Sequence, residues 1–473
     1  MAAIDITGAG GGITNVTGTS PVVVTIVGVT GRNVALDQSQ FKTINGNSIF
    51  GAGNIVIATG LTNWTEAFNS GTQATSSFTA TNAATNVNAA LVPKGTGAIV
   101  ANVPNGAASG GNARGQYSVD LQLFRSSANF VSSGDYSVIV GGANNLNADL
   151  ASFIGGGDDI QIWATSLGRN IIVGGVTQRI NAGTGGRNFI GGGEAQTISG
   201  TSRNSIIGSG ANHSINGNYS GIFSGQGNTN NGVYSVIPGG QLNTITSQWG
   251  ITSGYGNSVS GFYNGAFGLN NTMSNYLNYA FGESINISGN NSYGFGAVHT
   301  ITAAGASAFG VYGNSYLYGQ QAHANGRFSI TGDAQGSETI LRLVDGFTDL
   351  QTKEIYLDGS TLRITGPTNS AMTVNIDIVA VVTAISGTAT GVTVGDMFSQ
   401  NEICAYKNIG GTGTVVGSHS IHKLHDASMA ACDTAFATTG AALQVFFTGP
   451  NFSGGGTVTL RIVAKARIVE TRY

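Results

Sequence analysis

Glycines recur at Gly240, Gly254, Gly268, Gly282, Gly296 and Gly310, a constant step of 14 residues. Phe267, Phe281, Phe295 and Phe309 stand immediately before the last four of them. Two places before the same four glycines are the small residues Ala266, Ala280, Gly294 and Ala308, and five places after the first five glycines come Ile245, Val259, Met273, Ile287 and Ile301. A period of 14 is too short for a pair of helices and too long for a heptad, but it suits one coil built of two short strands and two turns. The spacing therefore predicts a β-solenoid. Stacked coils place like residues above one another at ~4.8 Å, so the Phe and Ile/Val columns are expected to form inner ladders, with Gly and Asn at the corners where φ turns positive. So narrow a coil buries little apolar surface by itself, which predicts self-association, most simply a homotrimer around a shaft axis.

Composition narrows the class further. Charged residues make up 9% of the 473 residues and glycine supplies 75 positions, against typical values of about 25% charged and about 7% glycine. The 41% of hydrophobic residues recur in register rather than being diluted, which excludes a disordered chain. With a net charge of −3 and no Lys/Arg cluster, no sizeable surface can neutralise phosphates, so neither nucleic acid nor an anionic membrane is an expected partner. Cys404 and Cys432 are too few to staple a chain of this length and are read as free thiols. The start MAAIDITGAGGG lacks the basic and apolar regions of an export signal, and the apolar run Ile378–Ile385 falls far short of ~20 residues, so no membrane insertion is expected.

Taken in order, four segments are expected: an N-terminal region 1–60, a small β-rich connecting domain 61–130, the solenoid 131–326, and a C-terminal domain 327–473. The first carries the strand-like runs Val22–Val27 and Gly53–Ile57, and Asn45-Gly46 is a hairpin turn signal. In the second, Trp64, Phe68 and Phe78 offer a small core, while Ala80, Ala83, Ala84, Val87 and Leu91 equally fit one face of an amphipathic helix. Repeats begin irregularly in YSVIVGGANN, ASFIGGGDD, NIIVGGVTQ and NFIGGGEAQ, as they do where turns take insertions. After Gly326-Arg327-Phe328 charge returns, and alternation in segments such as TVTLRIVAKARIV predicts an antiparallel β-sandwich or jelly-roll.

Several of these phrases resemble known proteins. KTINGNSIFGAGNIVI (Lys42–Ile57) is similar to a segment near the N-termini of bacteriophage tail fibre proteins. ALVPKGTGAIVANVPNGAASGGNARGQYSVDLQ (Ala90–Gln122), GDAQGSETILRLVD, KEIYLDGSTLRITGPTNSAMTVNIDIVAVV and TLRIVAKARIVETRY resemble later parts of the same phage tail proteins. The repeats of about 136–325, such as NYAFGESINISGNNSYGFGAVHTITAAG, resemble the left-handed parallel β-roll of trimeric autotransporter adhesin heads. The resemblance implies an all-β, elongated homotrimer in the virion tail. Its N-terminal region would attach to a tail or baseplate protein, and its C-terminal head would bind a bacterial surface glycan or outer-membrane receptor. Two alternatives are a polysaccharide-degrading tailspike and a bacterial trimeric surface adhesin. The adhesin would need an export signal and a terminal membrane barrel, and Arg461, Lys465, Arg467 and Glu470 in the last strand oppose lipid exposure.

Catalysis on polysaccharide requires two carboxylates about 5 to 10 Å apart with different roles. Between Ala195 and Gly332 the one carboxylate is Glu283, and the best remaining pair is Asp158-Asp159 with Glu194, about two coils apart. His213, His299 and Arg203 are the basic groups that a lyase in the roll would draw on. His419, His422 and His425 in HSIHKLH invite a metal, but a spacing of three on a strand sends successive rings to opposite faces. No HExxH, CxxC, GxxxxGK[ST] or GxSxG is present, so neither enzyme activity nor any cofactor is expected. Binding is the expected role. Its candidates are the roll aromatics Trp249, Tyr263, Tyr276 and Tyr318, whose rings would stack on a sugar or pack between chains, and Asn408, Asn451 and Phe452 in expected C-terminal loops.

Overall fold

A computed structural model describes the strands Trp64–Asn69 and Thr75–Ala80, residues 86 and 88, and residues 90–163, 168–183 and 185–473. The expected strands of 1–60, the Lys42–Ile57 phrase and the helical alternative through Ala83, Ala84 and Val87 lie outside the described residues. The chain divides into two units, Met1–Leu91 and Val92–Tyr473. In the first, the two described strands pair antiparallel, Trp64 opposite Ala80 and Asn69 opposite Thr75.

The second unit opens with a parallel β-solenoid, as the 14-residue period predicts. Each coil contributes one rung to each of two ladders. In the first, Ile251 pairs Gly265, Gly265 pairs Tyr279, Tyr279 pairs Tyr293, Tyr293 pairs Ser307 and Ser307 pairs Gln321. In the second, Thr244, Ser258, Thr272, Asn286, Thr300 and Asn314 follow one another. Earlier coils are longer: Val138 pairs Phe153 after 15 residues, and Phe153 pairs Ile171 after 18. The extra residues fall mainly in one turn, since the step from Gln161 to Ile171 spans 10 residues where that from Ser258 to Gly265 spans 7. Parallel pairing reaches back to Ile99–Val100, in a stretch whose sequence shows no period.

Two apolar columns fill the solenoid. Ile139, Ile154, Ile172, Ile190, Ile207, Ile222 and Ile237 line the first ladder, giving way to Ala266, Ala280 and Ala308. The second is lined by Ile162, Ile180, Ile198, Ile215, Ile245, Val259, Met273, Ile287 and Ile301, all buried. The expected inner Phe ladder is a correction. Phe281 and Phe295 are 42% and 40% exposed, because in strands such as Tyr279–Glu283 alternation points the small Ala280 inward and the ring of Phe281 outward.

Two buried polar columns flank the apolar ones. Asn228, Asn243, Asn257 and Asn271 stack in one, and each Oδ1 accepts the backbone N–H of the residue one coil on, as Asn271 donates to Asn257 at 2.9 Å. Each Nδ2 in turn donates to a glycine carbonyl, Asn257 to Gly268 at 2.9 Å and Asn271 to Gly282 at 2.9 Å. Asn170, Asn188 and Ser205 run in the other, as do Asn264, Asn278 and Ser292 farther along. These side chains satisfy the backbone groups that the tight corners leave without ladder partners.

Both ends of the solenoid are capped. At the first, Asp120 accepts from Arg114 at 2.8 Å and from Arg125 at 3.1 Å, with all three side chains buried. At the second, Gln321–Asn325 takes Ser307–Val311 as a parallel partner on one side and Ala334–Phe347 as an antiparallel partner on the other. The sheet continues from Ala334–Phe347 through Gly456–Arg472, Ser370–Gly387, Met397–Ile409 and Thr412–His425, all antiparallel. A smaller antiparallel sheet, in which Ala442–Thr448 pairs Thr352–Ile355, Ile364–Thr365 and Asp433–Thr439, packs on its inner face. The two share one core, where Phe447 of the small sheet meets Phe347 and Phe398 of the large one edge-on at 6.1 and 5.4 Å. Cys404 and Cys432 are free and buried there, and burial pushes both thiols up to about 12, so they are inert packing groups.

Candidate functional site

The acids singled out from the solenoid's sequence lie apart, with Asp158, Glu194 and Glu283 open to solvent, whereas Asp149 is buried and accepts from Ser152 and Asn170 at 2.7 Å each. Asp158, Val176 and Glu194 occupy one column in successive coils, which places the two carboxylates roughly 10 Å apart at two rungs' separation. Both are exposed; Asp158 Oδ1 accepts from Asn144 Nδ2 at 3.3 Å, and the neighbouring Asp159 is paired with Arg179 at 2.6 Å. Glu283 has Leu269 and Ala297 as its column neighbours, so no second acid stands beside it. His213 and His299 are buried in the corner column that also holds Asn228 and Asn243. Each accepts a backbone N–H on Nδ1, from Asn228 at 3.2 Å and from Gly313 at 3.0 Å. Burial holds both imidazoles below their ordinary range, outweighing the backbone hydrogen bonds around them. They are neutral structural groups at pH 7.

His419, His422 and His425 lie exposed on Thr412–His425, opposite Ile403, Asn401 and Phe398 respectively. Among the described residues no three His, Cys, Asp or Glu side chains gather as a metal site.

The roll aromatics do come together, but not as open platforms. Tyr219, Tyr234, Trp249 and Tyr263 all sit at one corner with φ between 53° and 56°, and their rings stack at 4.9, 5.7 and 4.7 Å. Tyr276 lies one residue before that corner and meets Tyr263 edge-on at 5.5 Å. Neighbouring rings thus cover both faces of Trp249 and Tyr234, leaving edges to solvent. A second column, Phe267, Phe281, Phe295 and Phe309, stacks at 5.1, 5.3 and 5.5 Å and continues onto His323 at 5.1 Å. With Val138, Val140, Ile171, Val173, Phe223 and Val236 it makes the outer face of one ladder apolar. The outer face of the other carries Thr229, Thr244, Ser258, Thr272 and Asn286.

The C-terminal candidates separate. Asn408 is buried near the solenoid end of the large sheet, opposite Ser370, with its amide donating to the carbonyl of Gly366 at 2.7 Å. Asn451 is exposed at the other end, beside Phe452, which is buried in the core and donates its N–H to Asp349 at 2.9 Å. Asn408 and Phe452 therefore present no side chain to a partner.

Tyr318 lines a cleft of about 450 Å³ formed where the last coils meet the small sheet. Tyr316, Leu357, Leu362, Arg363 and Thr365 line it too. The hydroxyl of Tyr316 donates to Glu470, and Arg472 lies over its ring at 5.4 Å. Asp358 orders the rim by accepting from the N–H groups of Ser360, Thr361 and Leu362 at 2.8 to 3.0 Å. Burial opposes its charge, but those donors prevail and hold its carboxyl far below the usual range. Arg363 grips both oxygens of Glu354, at 2.6 and 3.0 Å, and Tyr356 and Gln444 donate to the same carboxylate at 3.0 Å each. Burial again works against the charge of Glu354, and these four donors outweigh it and keep the carboxyl below its ordinary value. It has no proton to give at neutral pH. The one sequence signal for this site was Asp358-Gly359, a turn dipeptide, which does not reveal that a rung 40 residues earlier faces it.

No family model matches the sequence, and no curated protein matches it. Among solved structures, the chain is similar to the tailspike protein of Acinetobacter baumannii phage AM24, at 8% identity and a TM-score of 0.21, over 70% of this chain and 67% of that one. It is also similar to the tailspike protein of Acinetobacter phage vB_ApiP_P1, at 10% identity and a TM-score of 0.19, over 79% and 73%. At these TM-scores neither superposition fixes the fold or the role of this chain.

Proposed function

We propose that this chain is a receptor-binding protein of a bacteriophage tail, a homotrimer whose left-handed roll forms a shaft. Residues 1–60 attach to a tail or baseplate protein, and the C-terminal domain meets a bacterial surface glycan or protein. The observation that carries the assembly is the one-sided surface of the solenoid. Its interior is already filled, yet one outer face is largely apolar, with stacked, half-exposed phenylalanines on the later coils and Val140, Val173 and Phe223 on earlier ones, while the other is Thr, Ser and Asn. Contiguous apolar surface of this kind is a protein contact rather than a solvated face. A trimer closes it with three copies of one interface and repeats every weak host contact threefold. Binding is favoured over glycan cleavage because Asp158, Glu194 and Glu283 are exposed on separate coils, the buried Asp149 is held by Ser152 and Asn170, the buried Asp120 is neutralised by Arg114 and Arg125, and Glu354 is held ionised by its donors.

Sedimentation equilibrium of the purified chain is expected to return three times the chain mass. Replacing Phe281 and Phe295 together by Glu places like charges on each facing surface and is expected to yield monomer that keeps its β-type circular dichroism. A wild-type monomer, or an unaltered mass for the double variant, would sink the trimer. Purified protein is further expected to block phage adsorption in proportion to its concentration, without releasing oligosaccharide from envelope polysaccharide.

A further inference from the structure

We propose that the cleft between the last coils and the small C-terminal sheet is a binding site for a neutral saccharide of one to two residues. Its volume, about 450 Å³, falls within the range of about 300 to 1,000 Å³ found for ligand pockets. Its wall is apolar and aromatic. Leu357 is buried at its base, Leu362 is 44% exposed on its rim, and Tyr318 is half-buried with its ring packed against the C-terminal core. The C–H face of a pyranose fits such a surface. Its polar groups are suited to hydroxyls: the Tyr318 hydroxyl has no hydrogen-bond partner among the described residues, and the hydroxyls of Thr361 and Thr365, which donate to Asp358 at 3.1 Å and to the Arg363 carbonyl at 3.5 Å, keep lone pairs to accept from a ligand.

Charge decides between neutral and acidic sugars. Arg363 is the one charged side chain lining the cleft, and Glu354 occupies it through two hydrogen bonds. A uronate or sialate would have to displace that carboxylate, which Tyr356 and Gln444 also hold in place of solvent. A neutral ligand leaves the pair intact. The rim is also fixed in advance, since Asp358 ties down the backbone of Ser360, Thr361 and Leu362, which lowers the entropy lost on binding. This assignment deepens the host-binding reading and rests on it for its purpose, but the chemistry of the cleft stands by itself.

The test is an array of bacterial envelope oligosaccharides, neutral and acidic, probed with the fluorescently labelled full chain. Neutral spots are expected to bind, and Tyr318→Ala to lower their signal at least tenfold. Leu362→Glu, at a rim position whose side chain is 44% exposed, is expected to do the same with an unchanged circular dichroism spectrum, so a misfolded Tyr318 variant cannot mislead. Trp249→Phe, in the corner stack, is expected to leave the signal unchanged. Absence of any bound glycan, binding confined to acidic glycans, or equal signals from Leu362→Glu and wild type overturns the assignment. A monomeric mass with these signals intact would overturn the trimer alone.

Discussion

Single residues in the solenoid are set by what the next coil places against them. Gly268 has φ of 125°, and a Cβ there would run into the carbonyl oxygen of Gly282 one coil on. Gly268→Ala is therefore expected to cost about 2 to 4 kcal/mol, combining backbone strain with the forced separation of two rungs, read as a lower denaturant midpoint. The glycine period was legible because this steric demand repeats in every coil. The amide column was not read from the sequence, although an Asn follows three residues after Gly225, Gly240, Gly254 and Gly268. Asn is so common in turns that its inward orientation carries no local signature. His213 and His299 in that column make the coils acid-sensitive. Their folded pKa values lie below 6.5, so the unfolded chain binds more protons as pH falls, and their contribution is full above about 6.5 and declines below it. The midpoint is expected to fall between pH 7.5 and 5.5, and to fall less in His213→Asn, which restores the side chain used at Asn228. Equal pH slopes for the two proteins would count against this account.

At the scale of elements, periodicity located the strands but not the way they face. The size pattern Ala280-Phe281-Gly282 suggests a large inner residue between small ones; period-2 alternation opposite Ile287 requires the reverse, since an Ala fits where the second ladder already supplies an Ile. The C-terminal antiparallel sheets were legible because Gly456–Arg472 alternates buried and exposed positions over nearly its whole length. Asn408, expected in a loop, lies instead near the end of the strand Met397–Ile409, since an Asn just before Gly410-Gly411 carries the same turn signal whether it closes the strand or opens the turn. The first cap is equally silent in sequence: Arg114, Asp120 and Arg125 read as dispersed surface charges, and only the coil geometry brings them together beneath Gly111 and Val131. Removing a partner from a buried charge cluster usually costs 3 to 5 kcal/mol, because the remaining charge stays desolvated. Asp120→Ala strands two guanidinium groups, so a loss of about 3 to 5 kcal/mol is expected, with protease cleavage appearing first between Gly110 and Val131. A loss below ~1 kcal/mol would mean that the cap opens to water.

For the whole molecule, the second unit is expected to fold by itself. Its first rung is Ile99–Val100, its two cores among the described residues draw on residues after Leu91, and both solenoid ends are closed by its own chain. Stability in such a stack comes from each coil and its neighbours, so removing a separate segment costs little provided the terminal cap remains. A protein of residues 92–473 is therefore expected to fold with the same spectrum and thermal midpoint as the full chain. Cutting instead at residue 131, where the visible repeat begins, removes Asp120 and Arg125 and is expected to give aggregated protein. The contrast separates the boundary drawn by sequence period from the one drawn by hydrogen bonding. It also divides the proposed roles: the 92–473 protein should bind cells and compete with phage for adsorption while failing to join tails, because the segments resembling tail attachment are gone. If it loses cell binding with its fold intact, the host contact lies in the first 91 residues and the C-terminal domain is not the head.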